Sequence, residues 1–273
     1  MKLDGRELAG YIKQRHFAYI SALSRNSPTP HLAIVDIDGE SDSNNKEIVS
    51  NKFVRLKQEY GEDVGADVSL HQPVPGAAKD TIRHLNDVAS VHGILVQLPL
   101  PANAGNGELL RHITPEKDVD ALNPSSLFNA PTPAAILWLL SGYGIDWHDK
   151  TIGLIGQGRL VGKPLAEMLR QSGIDPMVCD KNTGSIEEVF GNSDIIITAT
   201  GEPRLIKREH IPKGSIVVDA GAANEDGVIV GDVDPAVSDR EDITISPVPG
   251  GVGPLTVCAL FENLLRAFEE QPS

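Results

Sequence analysis

The 273 residues carry 24 Lys and Arg against 38 Asp and Glu, a net charge of −14. That balance excludes a nucleic-acid surface, which needs a basic face, and requires a locally positive pocket for any anionic ligand. Only Cys179 and Cys258 occur, so no disulfide framework is expected. No stretch reaches the roughly 18 apolar residues of a membrane span. The opening Met1-Lys-Leu-Asp-Gly5 lacks the apolar core of a signal peptide, which predicts a cytoplasmic protein.

Leu8, Ala9, Ile12, Ala18, Tyr19, Ala22 and Leu23 recur at helical period over 5–23. Pro28 and Pro30 break the chain before a strand at Leu32–Ile37. Asp38 to Asn45 is rich in Gly, Ser, Asp and Asn and reads as a loop. A helix over 48–62 precedes a strand at Ala66–Leu70, a short helix at Thr81–Val88 and a strand at Val91–Leu98. Pro99 and Pro101 stop that strand, and Leu109–Ile113 is a helical fragment. Asp118 to Pro133 is irregular, with three prolines, and Ala134–Tyr143 is a strongly apolar helix. The domain crossover is placed there. The run Ile152–Ile155 reads as a buried strand that breaks into Gly156, Gly158 and Gly162. A helix follows, with Leu165, Met168 and Leu169 on one face. Strands at Pro176–Cys179, Asp194–Thr198 and Ser215–Asp219 come next, with a short strand or hairpin at Gly227–Val230. Thr244–Ser246 leads into the glycine- and proline-rich loop Pro247–Pro254, and a last amphipathic helix covers about 255–269. Strands alternating with helices predict an α/β fold with parallel sheets.

Strand, glycine turn and helix form a phosphate-binding corner: glycines let the backbone approach, and the helix start offers N–H donors. Here Gly162 comes one residue later than the third glycine of the G-x-G-x-x-G spacing, which falls on Val161. Asp180 ends the next strand, where an acid binds ribose hydroxyls and disfavours a 2′-phosphate; it reads equally as a solvated turn residue. Arg159, Lys163 and Lys181 lie close by in sequence and suit a phosphate. Gln97 is a polar residue at the carboxyl end of a buried strand, where ligands of open α/β sheets bind. Lys57, taken alone, is one more lysine on a helix. Asp118 and Asp120 are paired acids on a loop. The loop Pro247–Pro254 leaves few side chains in the way of a flat ring or ribose. The eight histidines are scattered, and no metal-ligand spacing occurs.

Together these stretches resemble the bifunctional methylenetetrahydrofolate dehydrogenase/cyclohydrolase family. The resemblance runs from Asp4-Gly5 through Gly93-Ile-Leu-Val-Gln-Leu-Pro-Leu-Pro101, Pro115-Glu-Lys-Asp-Val-Asp120 and Thr132-Pro133. It continues with Val161-Gly-Lys-Pro164, Gly231-Asp-Val-Asp234 and Pro247-Val-Pro-Gly-Gly-Val-Gly-Pro-Leu-Thr256. It implies an N-terminal α/β folate-binding catalytic domain over 1–135, to which a last helix at 255–273 returns. A Rossmann-type domain over 136–254 would bind NAD or NADP. It also implies a catalytic Lys57 with Gln97 as its partner, and Asp120 anchoring the pterin ring. Phe53, Pro249, Gly250 and Gly251 would lie against the folate. Gly156, Gln157, Gly158, Arg159, Val161 and Gly162 would hold the cofactor, with Asp180, Lys181, Thr200 and Gly201. The implied partners are tetrahydrofolate derivatives and a second copy of the chain through the Rossmann-type domain, with no metal, nucleic acid or membrane.

Several positions depart from the family pattern. The family's Ser-x-x-Tyr-x-x-x-Lys is Ser50-x-x-Phe53-x-x-x-Lys57, without the phenolic hydroxyl. The segment between Ile34 and Ser50 is longer than the family's. Gly-Arg-Ser after the first Rossmann strand is Gly156-Gln157-Gly158, and His-Ser after the second is Asp180-Lys181. Losing an Arg and gaining an Asp both point to NAD, while Arg159 and Lys181 keep NADP open.

Overall fold

The protein is described by a computed structural model covering residues 1–23, 28–37, 44–101, 104, 107–182, 184–225 and 228–271; side chains within 44–51 are not described. In chain order the elements are α1 (Gly5–Ala22), β1 (His31–Val35), α2 (Asn44–Val64), β2 (Asp67–His71), α3 (Ala78–Asp87), β3 (Gly93–Val96) and α4 (Pro131–Gly142). They continue with β4 (Ile152–Ile155), α5 (Gly162–Gln171), β5 (Met177–Cys179), α6 (Ile186–Asn192), β6 (Ile195–Thr198) and β7 (Ile216–Asp219). Last come β8 (Ala223–Glu225), β9 (Val228–Val230), β10 (Thr244–Ile245) and α7 (Val252–Glu270). The chain divides into two compact units, one of Tyr11–Pro131 with Val257–Ser273, the other of Met1–Gly10 with Thr132–Thr256.

In the first unit three parallel strands run in the order β2-β1-β3. Leu32 pairs with Val68 and Gly93, and Val35 with His71 and Val96. The central strand is apolar on both faces because both are covered. Ala33, Val35, Ile94 and Val96 face a core with Ile82 and Leu85 of α3. Across the sheet, α2 approaches so closely that a Cβ on Gly61 would lie 2.4 Å from Val68 Cγ2. The later turns of α7 return to this unit. The rings of Tyr60 and Phe261 are 4.6 Å apart, and His16 bridges Tyr60 Oη (2.9 Å) and Glu262 Oε2 (2.8 Å). Asn263 Nδ2 donates to the carbonyls of Val119 (2.8 Å) and Asn129 (2.9 Å).

In the second unit five parallel strands run β10-β7-β6-β4-β5, beside an antiparallel β8–β9 hairpin. Strand order reverses between β4 and β6, which makes the carboxyl ends of those two strands the crevice of a doubly wound sheet. Residues 1–5 join the far edge: Leu3 N–H donates to Ile245 O (2.9 Å) and Gly5 N–H to Gly250 O (2.9 Å). No described helix is long and apolar enough to cross a membrane.

Three elements differ from the sequence expectation. Helix α2 begins at Asn44, so Asn44 and Asn45 leave the predicted loop, while 38–43 lie outside the described residues. Helix α7 begins at Val252, so Gly253 and Pro254 belong to its first turn rather than to the loop. Proline is tolerated there because first-turn N–H groups have no partner within the helix. Helix α6 is too short to announce itself by apolar period. Its start is fixed instead by Ser185 Oγ accepting from Glu188 N–H (3.0 Å). Gly227, the first residue of the predicted 227–230 strand, lies outside the described residues.

Candidate active site

The carboxyl ends of the small sheet gather the ionisable side chains. Strand order also reverses there, between β1 and β3. Gln97 follows β3, and its backbone N–H donates to Val35 O (2.8 Å), so the ladder holds it in place. Its Nε2 donates to Leu98 O (2.9 Å), which turns Oε1 outward to accept from Lys57 Nζ (3.1 Å). Lys57 Nζ also donates to Phe53 O (3.4 Å), and sits 6.0 Å from the centre of the Phe53 ring. The four-residue helical step puts Phe53 and Lys57 on one face of α2. Lys57 is half-buried. Burial pulls its ammonium below the ordinary lysine range, while the carboxylates of Asp120 and then Asp36 pull it back up.

Asp120 lies on a loop tied alongside β3. Ile94 N–H donates to Lys117 O (2.6 Å), and Ile94 bridges Asp118 in parallel register. Two residues further on, Asp120 therefore runs level with the end of β3. Its neighbours do different work. Lys117 Nζ donates to the carbonyls of Leu85 (3.4 Å), Asn86 (2.8 Å) and Val88 (2.8 Å), capping the end of α3. Asp118 is fully buried; Oδ1 accepts from Leu122 N–H (3.2 Å) and Oδ2 from Asn123 N–H (2.7 Å). Asp120 makes the chemically open contribution. Burial pushes its carboxyl up to about 7, Lys57 opposes that and Asp118 adds to it. Ala121, next in sequence, holds φ at 54°, a left-handed conformation that L-residues rarely adopt.

At the β4–β6 crevice the site is made of backbone. Gly156 has φ of 100°, and a Cβ there would lie 2.5 Å from Ala199 O. A Cβ on Gly162 would lie 2.1 Å from Gly156 O, so the turn and the start of α5 close only with glycine at both positions. Gly158 differs: its nearest neighbour would be Ala199 O at 3.9 Å. Val161 is the residue before α5 and offers no side-chain cap to it. Gln157 Nε2 donates to Gly156 O (3.2 Å); Gly158, Arg159 and Lys181 are exposed. Asp180 follows β5, and its Oδ1 accepts from Asn182 N–H (2.8 Å). This cradle fits a dinucleotide phosphate, because the tight glycine turn brings the unpaired N–H groups at the start of α5 to the crevice.

Two buried acids hold the rim of that crevice, and composition alone does not reveal them. Asp232 Oδ2 accepts from Thr198 Oγ1 (2.7 Å) and from Thr200 N–H (2.7 Å), which fixes the turn into Gly201. Its Oδ1 is buried without a hydrogen-bond partner, and a Cβ on Gly221 would come within 2.2 Å of it. Asp219 accepts from the N–H groups of Gly221 (2.9 Å), Asp232 (3.1 Å) and Val233 (2.9 Å). Burial raises its carboxyl to about 6, against those bonds. Elsewhere in this unit, Pro249 O accepts from Arg6 Nη2 (3.1 Å) and Gly251 N–H donates to Pro247 O (2.7 Å). One side of the Pro249–Gly251 loop is thus occupied by the start of α1. Among the described residues, no group of three or more His, Cys, Asp or Glu is arranged to hold a metal ion.

Two family models match the chain. Residues 3–120 match the family model described as the tetrahydrofolate dehydrogenase/cyclohydrolase catalytic domain, and residues 130–272 its NAD(P)-binding domain. The bifunctional protein FolD of Hydrogenobaculum sp. (strain Y04AAS1) is 35% identical over 284 residues, covering 98% of this chain and 99% of the relative. The crystal structure of the bifunctional methylenetetrahydrofolate dehydrogenase/cyclohydrolase of Campylobacter jejuni superposes with a TM-score of 0.89 at 32% identity, covering 100% and 99% of the two chains. The Trypanosoma brucei dehydrogenase-cyclohydrolase, crystallised with NADP and an inhibitor, gives a TM-score of 0.89 at 29% identity, covering 98% and 97%. The chain belongs to the tetrahydrofolate dehydrogenase/cyclohydrolase family.

Proposed function

We propose that this member of the family works with Lys57 as its proton-handling group and Gln97 and Asp120 as that lysine's partners at the folate. The enzyme oxidises 5,10-methylenetetrahydrofolate to 5,10-methenyltetrahydrofolate with NAD(P)+ and hydrolyses the product to 10-formyltetrahydrofolate. The observation that carries the assignment is the Lys57 Nζ to Gln97 Oε1 bond of 3.1 Å at the β1–β3 reversal.

When bound, NAD(P)+ supplies the acceptor for the hydride of the methylene carbon. The glycine turn at Gly156 and Gly162 would hold its phosphates, with Gln157, Gly158, Arg159, Val161, Thr200 and Gly201 around them. In the hydrolytic step a water oxygen bonds to the methenyl carbon, the bond from that carbon to N5 breaks, N5 takes a proton, and one proton is released overall. Lys57 moves those protons: burial brings its ammonium toward neutral pH, where proton transfer is most effective. Gln97 holds the lysine head in place. Asp120 anchors the pterin ring, and Phe53 packs on the folate through its ring alone. Pro249, Gly250 and Gly251 present backbone to the substrate.

NAD is the preferred cofactor in this reading. Asp180 sits where a 2′-phosphate would be repelled, and Gln157 stands in place of an arginine, although Arg159 and Lys181 supply some positive charge. The reading also takes the chain to act in the cytoplasm, as a homodimer through its second unit; light scattering tests whether it is a dimer. A steady-state assay with methylenetetrahydrofolate, run with NAD and with NADP while following methenyl absorbance, tests the rest. The expected result is faster turnover with NAD and no build-up of the methenyl species. Build-up that decays only at the solvent rate would reduce the enzyme to a dehydrogenase.

A further inference from the structure

Asp36 lies one residue beyond β1, and the pattern of that strand fixes its direction. Ala33 and Val35 face the core under α3. In a strand successive side chains alternate, so Leu32, Ile34 and Asp36 face the other way, toward α2. Val68, the register partner of Leu32, is the residue that Gly61 of α2 packs against.

The ladder also continues past the strand ends. Asp36 N–H donates to His71 O (2.9 Å) and Gln97 N–H to Val35 O (2.8 Å). One step beyond the Val35–Val96 pair, Asp36 stands beside Gln97. Paired residues of neighbouring strands project from the same face. Gln97 is the residue whose Oε1 accepts from Lys57 Nζ. The carboxyl of Asp36, the amide of Gln97 and the ammonium of Lys57 therefore share one face of the sheet.

We propose that Asp36 is a positioning residue for Lys57, a second carboxylate beside Gln97 that keeps the lysine's proton available during hydrolysis. This rests on the reading of Lys57 as the proton-handling group. Among the described residues, the charged groups acting on Lys57 are Asp120, from the loop alongside β3, and Asp36, from β1; Asp118 acts on Asp120 in turn. Phe53, on the lysine's own helix, offers it a backbone carbonyl and a ring face but no charge. A negative charge at Asp36 offsets the cost of enclosing an ammonium beside an apolar ring.

The test titrates Lys57 directly, by mapping the pH dependence of its acylation rate in the full-length protein, wild type against Asp36→Asn and Asp36→Glu. Asparagine keeps the shape and removes the charge; glutamate restores the charge. In Asp36→Asn the midpoint of Lys57 should fall by roughly half to one pH unit, and Asp36→Glu should recover most of it. The pH profile of methenyl hydrolysis should move by the same amount in the same direction. An unmoved Lys57 midpoint in Asp36→Asn would overturn the inference. A shifted midpoint in a protein whose wild type hydrolyses no methenyl substrate would overturn the functional reading instead, and leave the pairing of the two residues established.

Discussion

At the carboxyl end of the three-stranded sheet the crevice is lined by charge-bearing side chains: Lys57, Asp120 and, one residue past β1, Asp36. At the corresponding end of the five-stranded sheet the crevice is backbone, because Gly156 and Gly162 leave no room for anything else. Both lie where strand order reverses. One unit works by what its side chains carry and the other by side chains it lacks. The two should therefore fail differently. Charge and pH should disturb the first, and steric volume the second.

The largest expected effect is on the first unit. Lys57→Met should lower methenyl hydrolysis by about 10²- to 10⁴-fold, the usual worth of a positioned acid–base group, with NAD binding unchanged. Steady-state assays of the two steps check this, and full hydrolysis in the variant would remove Lys57 from its role. Next comes a steric pair in the second unit. Gly162→Ala should weaken dinucleotide binding at least about ten-fold, since its methyl would meet a backbone oxygen that cannot withdraw. Gly158→Ser, with open space around it, should bind within about two-fold of wild type. Calorimetric titration with NAD reads both, and equal losses would break the contrast.

A smaller effect concerns stability. The folded protein keeps the proton of Asp120 up to about pH 7, whereas the unfolded chain releases it near pH 4, at about the ordinary aspartate value. The contribution of this group is thus fully present below about pH 4 and is lost as pH rises through about 7. Asp120→Asn should stabilise the protein at pH 8 by about 1–2 kcal/mol in urea unfolding, with little gain at pH 4. That is well below the full shift, because the carboxyl retains some contact with water and with Lys57. The smallest effect is Ala121→Gly, which should relieve about 1 kcal/mol or less of left-handed strain. No gain would mean that the chain entropy of glycine cancels the relief.

The same contrast explains what the sequence makes legible. Apolar runs such as Ile152–Ile155 and Gly93–Val96 are buried on both faces and are readable as strands. Gly156 and Gly162 are readable because glycine at a strand-to-helix turn has few other uses. Lys57 carries no local mark: its meaning depends on Gln97, forty residues away, across a helix-to-sheet contact. Asp36 is legible by the argument that singles out Gln97, a polar residue ending a buried strand, yet it reads as part of the strand Leu32–Ile37. Ser185 and Glu188 spell a helix start, but α6 is too short for its period to be heard. The prolines of Pro247–Pro254 look like loop throughout, although the last one sits inside α7.

Lys117, Asp118 and Asp120 stand within four residues and would look interchangeable to a scan that counts charges. Valence separates them. The ammonium of Lys117 meets three carbonyls, and each oxygen of Asp118 already receives an amide proton. Both are committed to holding their own chain in place. Loss of either would silence the enzyme by loosening the scaffold, whereas loss of Asp120 would silence it in a molecule that still folds. The same dead-enzyme phenotype at three neighbouring positions would thus have two unrelated causes, and a melting curve would tell them apart before any kinetic measurement.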